Sequence, residues 1–243
     1  ETGAGGYPAF VPVVADGIVY GGLRDESLFA LDVISGELLW TFEVDVANSP
    51  HGWTRRQPPQ LFNETLYVPG DDGYVYALEA SEGDLIWIYE TGDVDSSPVV
   101  VDGVVYAGSE DHNVYALDAS TGDLLWRYET ENEVDSSPVV VDGVVYVGSD
   151  DGYVIALHAS TGDLLWRHET GDANRSPAVV DGVVYVELDN GYVGALDAAT
   201  GDLLWSYQTG GSRFSPVVAD AVVYVLSHDN YVYALSTGVR GIA

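Results

Sequence analysis

Residues 116–126 read ALDASTGDLLW, and the same eleven residues return as ALHASTGDLLW at 156–166 and ALDAATGDLLW at 195–205. Looser copies stand at 77–87 (ALEASEGDLIW) and 30–40 (ALDVISGELLW). A sixth begins at 234 as ALSTGVRGIA, without its tryptophan. A fixed internal period decides the architecture before any single motif does. Aligned on the proline of SPVV, the copies place Pro12, Pro59, Pro98, Pro138, Pro177 and Pro216 at steps of 47, 39, 40, 39 and 39 residues. Eight residues after each proline comes a tyrosine: Tyr20, Tyr67, Tyr106, Tyr146, Tyr185 and Tyr224. Trp40, Trp87, Trp126, Trp166 and Trp205 keep the same step.

Within one period the pattern is that of strands. In SPVVVDGVVYVGSDDGYVIALHASTGDLLWRHET (137–170), four β-branched or alternating runs are separated by the turn signals DG, DDG and STGD. That spacing predicts four strands joined by three short hairpins. No segment keeps a helical period of useful length. Proline stands at the start of the first strand, where a missing N–H does little harm.

A unit of about 40 residues with four antiparallel strands is a propeller blade. The fold expected is therefore all-β: one β-propeller domain over 1–243, with blades at about 8–45, 57–93, 96–133, 136–172, 175–210 and 214–243. The sixth copy lacks its last strand. A closed ring of six would need residues 1–9, which begin ETG like the end of a fourth strand, to complete it. The alternative is a piece of a larger ring.

Composition bounds the function. Asp and Glu total 39 against 8 basic residues, all arginine, for a net charge of −31. Such an acidic shell suits molar salt, where screening over about 3 Å quenches self-repulsion, and the composition resembles that of haloarchaeal proteins. A nucleic-acid partner is excluded for lack of a basic footprint. Without cysteine there are no disulfides, thiolate metal sites or cysteine nucleophiles. No apolar run reaches the roughly 18 residues of a membrane span.

Within the eleven residues, the glycines of TGD (Gly122, Gly162, Gly201) supply the positive φ of a turn. The flanking Thr or Ser and Asp can bond back to the turn's backbone. The small Ala116, Ala156 and Ala195 leave room beside a strand. The tryptophan is read as packing on the neighbouring blade and hydrogen-bonding to it. The pattern Ala-x-Asp-x-x-Thr-Gly-x-x-x-Trp resembles the tryptophan-docking motif of the pyrroloquinoline quinone (PQQ) dehydrogenase propellers, over nearly the whole chain. That resemblance implies the fold. It leaves activity open, since the repeat serves PQQ-dependent alcohol dehydrogenases and also non-enzymatic relatives, among them an outer-membrane assembly lipoprotein.

In that family the first strand of each blade lines the central channel, so residues just before SP crowd one mouth. Three residues before each proline stand Ala9, Arg56, Asp95, Asp135, Asn174 and Arg213. Arg55, Gln57, Arg175 and Phe214 are neighbours, and the insertion NSPHGWTRRQPP (48–59) adds His51 and Trp53. Arginines in an otherwise acidic chain bind carboxylate or phosphate bidentately. Asp95, Asp135 and Asn174 offer oxygens that suit Ca²⁺. Arg56, Arg175, Arg213 and Trp53 with that oxygen set would resemble a pocket for PQQ and calcium. The simpler reading is Arg–Asp pairing across the mouth.

Other features count against a dehydrogenase. Those enzymes are more than twice as long and usually have eight blades. Many carry an adjacent cysteine pair. Their catalytic aspartate and calcium-binding glutamate have no assignable match here. The acidic hairpins SEDHN, GDDGY, SDDGY, LDNGY and SHDNY are read as turns. His112, His158, His168 and His228 form no metal spacing. The serines of SSP begin strands and have no His–Asp partner in register. Asn63-Glu-Thr65 and Asn174-Arg-Ser176 match the short glycosylation sequon. The expected function is a non-catalytic binding or scaffolding module, outside the cell or at its surface, holding a protein partner or a small anion at the mouth. The alternatives are a PQQ/Ca²⁺ oxidoreductase and a cytoplasmic location.

Overall fold

The computed structural model of the chain describes residues 12–22, 27–43, 57–70, 72–171, 175–211 and 214–237. Six antiparallel sheets follow one another along the sequence. The first holds β1 (Val13–Ala15), β2 (Ile18–Gly22), β3 (Ser27–Asp32) and β4 (Leu38–Glu43). The second holds β5 (Gln60–Phe62), β6 (Thr65–Pro69), β7 (Tyr74–Glu79) and β8 (Leu85–Glu90). The third holds β9 (Val99–Val101), β10 (Val104–Gly108), β11 (Asn113–Asp118) and β12 (Leu124–Glu129). The fourth holds β13 (Val139–Val141), β14 (Val144–Ser149), β15 (Tyr153–His158) and β16 (Leu164–Glu169). The fifth holds β17 (Ala178–Val180), β18 (Val183–Leu188), β19 (Tyr192–Asp197) and β20 (Leu203–Gln208). The sixth holds β21 (Val217–Ala219), β22 (Val222–Leu226) and β23 (Val232–Ser236). Each sheet runs in chain order, with four strands in the first five and three in the sixth. The four-strand reading of 137–170 is thus met strand by strand, and the short sixth copy is a short sheet. Residues 1–9, the expected closing strand, lie outside the described residues. Among the described residues, no helix is long and apolar enough to cross a membrane.

The hairpins obey the turn chemistry of the sequence. Asp102–Gly103 and Asp142–Gly143 both have positive φ at the two central residues (50° and 78°; 50° and 76°), the signature of a type I′ turn. Two copies break the rule. Glu64 and Ala221 occupy the glycine position with φ of 62° and 58°. A side chain held left-handed costs about 1–2 kcal/mol, and glycine gives back about 0.4–1 kcal/mol through its freer unfolded state. Glu64→Gly and Ala221→Gly are therefore each expected to gain a fraction of a kcal/mol to about 1 kcal/mol. Thermal unfolding checks this; a lowered midpoint would show that the side chains make contacts worth more than the strain.

The described residues fall into two compact units: those of Glu1–Asp111 with Tyr115–Leu125, and those of His112–Val114 with Trp126–Ala243. In each unit one face of a sheet packs on the opposite face of the next. In the first unit, Tyr20, Leu28, Ala30 and Trp40 meet Leu66, Val68, Tyr76 and Leu78 of the second sheet. Tyr67, Val75, Ala77 and Trp87 then meet Val105, Ala107, Tyr115 and Leu117. In the second unit, Tyr146, Val154, Ala156 and Trp166 meet Val184, Val186 and Leu196. Tyr185, Val193, Ala195 and Trp205 meet Val223, Val225 and Leu235. Alternation along each strand thus feeds two interfaces, one per face.

A polar lock fastens four joints of this kind. Trp40, Trp87, Trp126 and Trp166 donate from Nε1 to the backbone carbonyls of Ala80, Ala119, Ala159 and Ala198, at 2.8–2.9 Å. The alanine carbonyl sits in the turn of the next sheet. Tyr67 Oη adds a second bond to Ala119 O at 3.0 Å, and Tyr146 Oη to Ala198 O at 3.1 Å. Tyrosine and tryptophan stand side by side, with ring centroids 5.8 Å apart for Tyr67–Trp87 and 5.9 Å for Tyr146–Trp166. Burial of the hydroxyl raises the pKa of Tyr67 and Tyr146 above the usual phenol value, chiefly by desolvation, so both remain donors at neutral pH.

Candidate functional site

The residues before SP lie in the connectors that lead from one sheet's fourth strand to the next sheet's first. These connectors are tightly fastened. In the first unit, the N–H groups of Thr91 and Gly92 both donate to Gly73 O (2.8 and 3.1 Å). Val94 is buried, with 1% exposure. Ser96 Oγ donates to Gly108 O (3.1 Å) and accepts from Gly108 N (2.9 Å), clamping the connector to β10. The second unit repeats the device with Ser136 and Gly148 (2.9 and 2.7 Å). Both serines are buried, which fits the reading of SSP as strand-starting residues.

On this frame Asp95 is buried at 6% exposure and Asp135 is half-buried. In the first unit β5 and β9 are neighbours, and in the second so are β13, β17 and β21. Ser97 Oγ reaches Gln57 Oε1 at 3.3 Å, and Ser137 N reaches Ser176 Oγ at 2.8 Å. The SP ends of successive sheets therefore do come together within each unit. Arg175 is there and exposed. Arg56, Arg213, Trp53 and Asn174, like Ala9, Arg55 and His51, lie outside the described residues. Two arginines lie on fourth strands instead: Arg167, on β16, stands over the Tyr153 ring at 4.7 Å and 4.0 Å from Glu131, and Arg127 is exposed on β12.

The structure adds companions to Asp135. Glu133, Asp135 and Asp150 each bring a carboxylate oxygen within 4.8 Å of the others. Asp150 N donates to Glu133 O at 2.9 Å, and Ser149 Oγ to the same carbonyl at 3.1 Å. Asn132 Nδ2 donates to Asp150 O at 3.2 Å. The hairpin between β14 and β15 is thereby tied to the connector. An all-oxygen set of three carboxylates matches the preference of a hard cation such as Ca²⁺. Asp150 escaped the column of residues before SP because it sits in the SDDGY hairpin. The signal was present, since Glu110 and Asp189 hold the same hairpin position in other copies. For PQQ, Arg175 is the one proposed anion-binding residue among the described residues.

Repeated four-stranded sheets, joined face to face through a tryptophan and a turn carbonyl, define a β-propeller repeat protein. The chain belongs to the PQQ-like repeat family described as outer membrane protein assembly factor BamB, which matches residues 3–110 and 91–240. It is 36% identical over 107 residues to the outer membrane protein assembly factor BamB of Yersinia pestis, covering 39% of this chain and 26% of that one. It is 34% identical over 104 residues to the quinohemoprotein alcohol dehydrogenase ADH IIB of Pseudomonas putida, covering 39% of this chain and 15% of that one. The chain thus matches about a quarter or less of the length of these curated relatives. The crystal structure of BamB from Moraxella catarrhalis superimposes with a TM-score of 0.77 at 24% identity, over 93% of this chain and 71% of that one. That likeness is one of fold.

Proposed function

We propose that the protein is a non-catalytic binding scaffold that acts outside the cell or at its surface and engages a protein partner through the SP ends of its sheets. One observation carries this reading. The sheets repeat nearly residue for residue, while the residues before SP differ from copy to copy (Asp95, Asp135, Asn174, Arg56, Arg175, Arg213), and Asp95 and Asp135 stand on connectors clamped by the buried Ser96 and Ser136. Varied side chains on a rigid, repeated frame make a recognition surface. Family membership supports the same reading, since the family takes its description from an assembly factor. Arg56, Arg175 and Arg213, with Trp53, form the anion-binding part of the proposed surface.

The clustering of Glu133, Asp135 and Asp150 favours a second reading, in which these ends hold calcium and a quinone. Calcium would be held by Asp135 with its two neighbours, and would supply Lewis acidity toward a bound quinone. One experiment separates the two. A photo-crosslinking residue at Arg175 is expected to capture a cell-envelope protein that the same residue at Arg127 does not. Titration with PQQ and Ca²⁺ in molar salt is expected to leave the quinone absorbance unchanged at tens of micromolar. Saturable quinone binding without capture would replace the scaffold by the oxidoreductase reading.

A further inference from the structure

The joint between the fourth and fifth sheets lacks a ring that other joints contain. The residue before the alanine of each motif is Phe29, Tyr76, Tyr115, Ile155, Gly194 and Tyr233 in turn. Tyr76, Tyr115 and Tyr233 each pair with a ring on the preceding sheet's fourth strand, Phe42, Tyr89 and Tyr207, with centroids 5.9–6.0 Å apart. The same three tyrosines bond a carboxylate of their own hairpin. Tyr76 Oη donates to Asp72, Tyr115 Oη to Asp111, and Tyr233 Oη to Asp229 at 2.7 Å. Tyr115 Oη also lies 3.2 Å from Thr91 O.

At Gly194 the ring is gone and its surroundings remain. His168 stands in the column of Phe42, Tyr89 and Tyr207, and Thr170 in that of Thr91. The turn after β18 is displaced by one residue. Asp189, followed by the left-handed Asn190 (φ 59°), thus takes the place of Asp111 before His112 (70°) and of Asp229 before Asn230 (69°). A Cβ at Gly171 would meet Asp189 Cγ at 1.8 Å, as one at Gly92 would meet Asp111 Cβ at 2.8 Å and one at Gly210 Asp229 Oδ2 at 3.3 Å. Leu188 replaces Ser109, Ser149 and Ser227 of other copies and lies against Gly194, where a Cβ would stand 2.6 Å from its Cδ1. The leucine covers only part of the space. His168, Thr170, Leu188, Asp189, Tyr192 and Ser206 line a cleft of about 420 Å³. At the corresponding place beside β15, Ile155 fills the glycine position and Arg167 the serine position, and the cleft is about 130 Å³. Glycine inside a strand marks a place where another group comes close, and a cleft of several hundred Å³ with a few polar groups is of ligand size.

We propose that this cleft binds a phenol group, whose ring takes the place of the tyrosine ring missing at Gly194 and whose hydroxyl donates to the Asp189 carboxylate. The ring packs on Leu188 and stands beside His168, as Tyr115 stands beside Tyr89. The hydroxyl meets the two kinds of oxygen that surround Tyr115 Oη, a hairpin carboxylate and a threonine carbonyl, here those of Asp189 and Thr170. A charge-assisted hydrogen bond and an aromatic contact together select a phenol over a plain hydrocarbon. Glu169 and Asp189 at the cleft, in a chain of net charge −31, repel anions, so the ligand is neutral. The site goes beyond the scaffold reading and does not depend on it.

The probe is p-cresol, titrated in molar salt against isotope-labelled protein and followed by the backbone amide signals. Saturable shifts are expected at Gly171, Gly194 and Ser206, with a dissociation constant of about 1 mM or below. Toluene, the same ring without the hydroxyl, is expected to bind about tenfold more weakly, the effect of one hydrogen bond to a charged acceptor. Ser206 is exposed, and Ser206→Arg introduces the residue that stands over Tyr153 in the narrower cleft. It is expected to weaken p-cresol binding by about tenfold or more. Leu188→Ser combined with Gly194→Tyr restores the serine and tyrosine of other copies, and is expected to abolish binding while the amide spectrum stays that of a folded protein. A free phenol and the tyrosine of a bound chain present the same group. N-acetyltyrosinamide binding more tightly than p-cresol assigns the tyrosine source, and more weakly the free phenol. The proposal is overturned by no saturable shift up to about 10 mM p-cresol, by shifts confined to residues away from the cleft, or by toluene binding as tightly as p-cresol. Undiminished p-cresol binding to the Ser206→Arg variant overturns it as well.

Discussion

Gly162→Ala is expected to destabilise the protein by about 3–5 kcal/mol, the sum of three losses. A side chain at φ of 74° carries about 1–2 kcal/mol of backbone strain. The new Cβ would stand 2.8 Å from Trp126 Cδ2, closer than carbon atoms approach, so the indole must move. Moving it breaks the 2.8 Å bond from Trp126 Nε1 to Ala159 O, and an unpaired buried polar group costs about 1–3 kcal/mol. Displacing a ring that is 8% exposed also forfeits packing. Gly143→Ala is the control. Its φ is 76°, but nothing lies within 4 Å, so only the strain of about 1–2 kcal/mol remains. Denaturant unfolding of the two variants, with tryptophan emission as a second signal, checks the difference. Equal losses would show that the turn, and not the joint, demands glycine at position 162.

Transfer from molar salt to about 10 mM salt is expected to unfold the protein or lower its thermal midpoint by tens of degrees. The net charge of −31 on 243 residues is self-repulsive in the compact state. At 1 M ionic strength the field of each carboxylate dies within about 3 Å, but at 0.01 M it reaches about 30 Å and the repulsions add. Ion pairing offers little relief, with 8 arginines against 39 acids. Among the described residues the Arg167–Glu131 pair spans 4.0 Å at an exposed site, where such pairs are weak. Circular dichroism melts across a series of NaCl or KCl concentrations measure the effect. A midpoint that stays flat or falls with salt would overturn the salt-adapted reading. Within that field, the turn carboxylates of Asp32 and Asp118 are held below the usual aspartate range, by hydrogen bonds from Ser35 and Ile34 and from Ser120 and Thr121 respectively. Their contribution is present above the unfolded aspartate pKa and lost as pH falls through the depressed values.

The fold was legible because it is repeated. A period of 39–40 residues with three turn signals per period leaves few topologies, and β13–β16 fall where the hydrophobic runs of 137–170 place them. The tryptophan's neighbour was also legible, since a repeated indole with one donor needs an acceptor in the next unit. Its companion was not. The tyrosine eight residues after each proline looked like a strand residue, because nothing in a single copy shows that Tyr67 Oη and Trp87 Nε1 converge on one carbonyl 32–52 residues away. Glycine in TGD was read as a turn residue, and the second demand on it, room for an indole, arises only when sheets stack. Among the site residues, the positions before SP were legible as the place where copies differ. The link from Asp135 to Asp150 crosses from connector to hairpin, and a column of aligned residues does not reveal it.

A joint made of one indole, one glycine and one turn carbonyl involves only the two sheets that meet there. Stability is then set link by link between neighbours, as in other repeat proteins. Inserting or deleting a whole repeat of about 40 residues preserves every joint on either side, whereas a change of ten residues breaks one. Genes of this kind should therefore lengthen and shorten in whole-repeat steps, with the number of sheets free to drift while the sequence of each joint stays fixed.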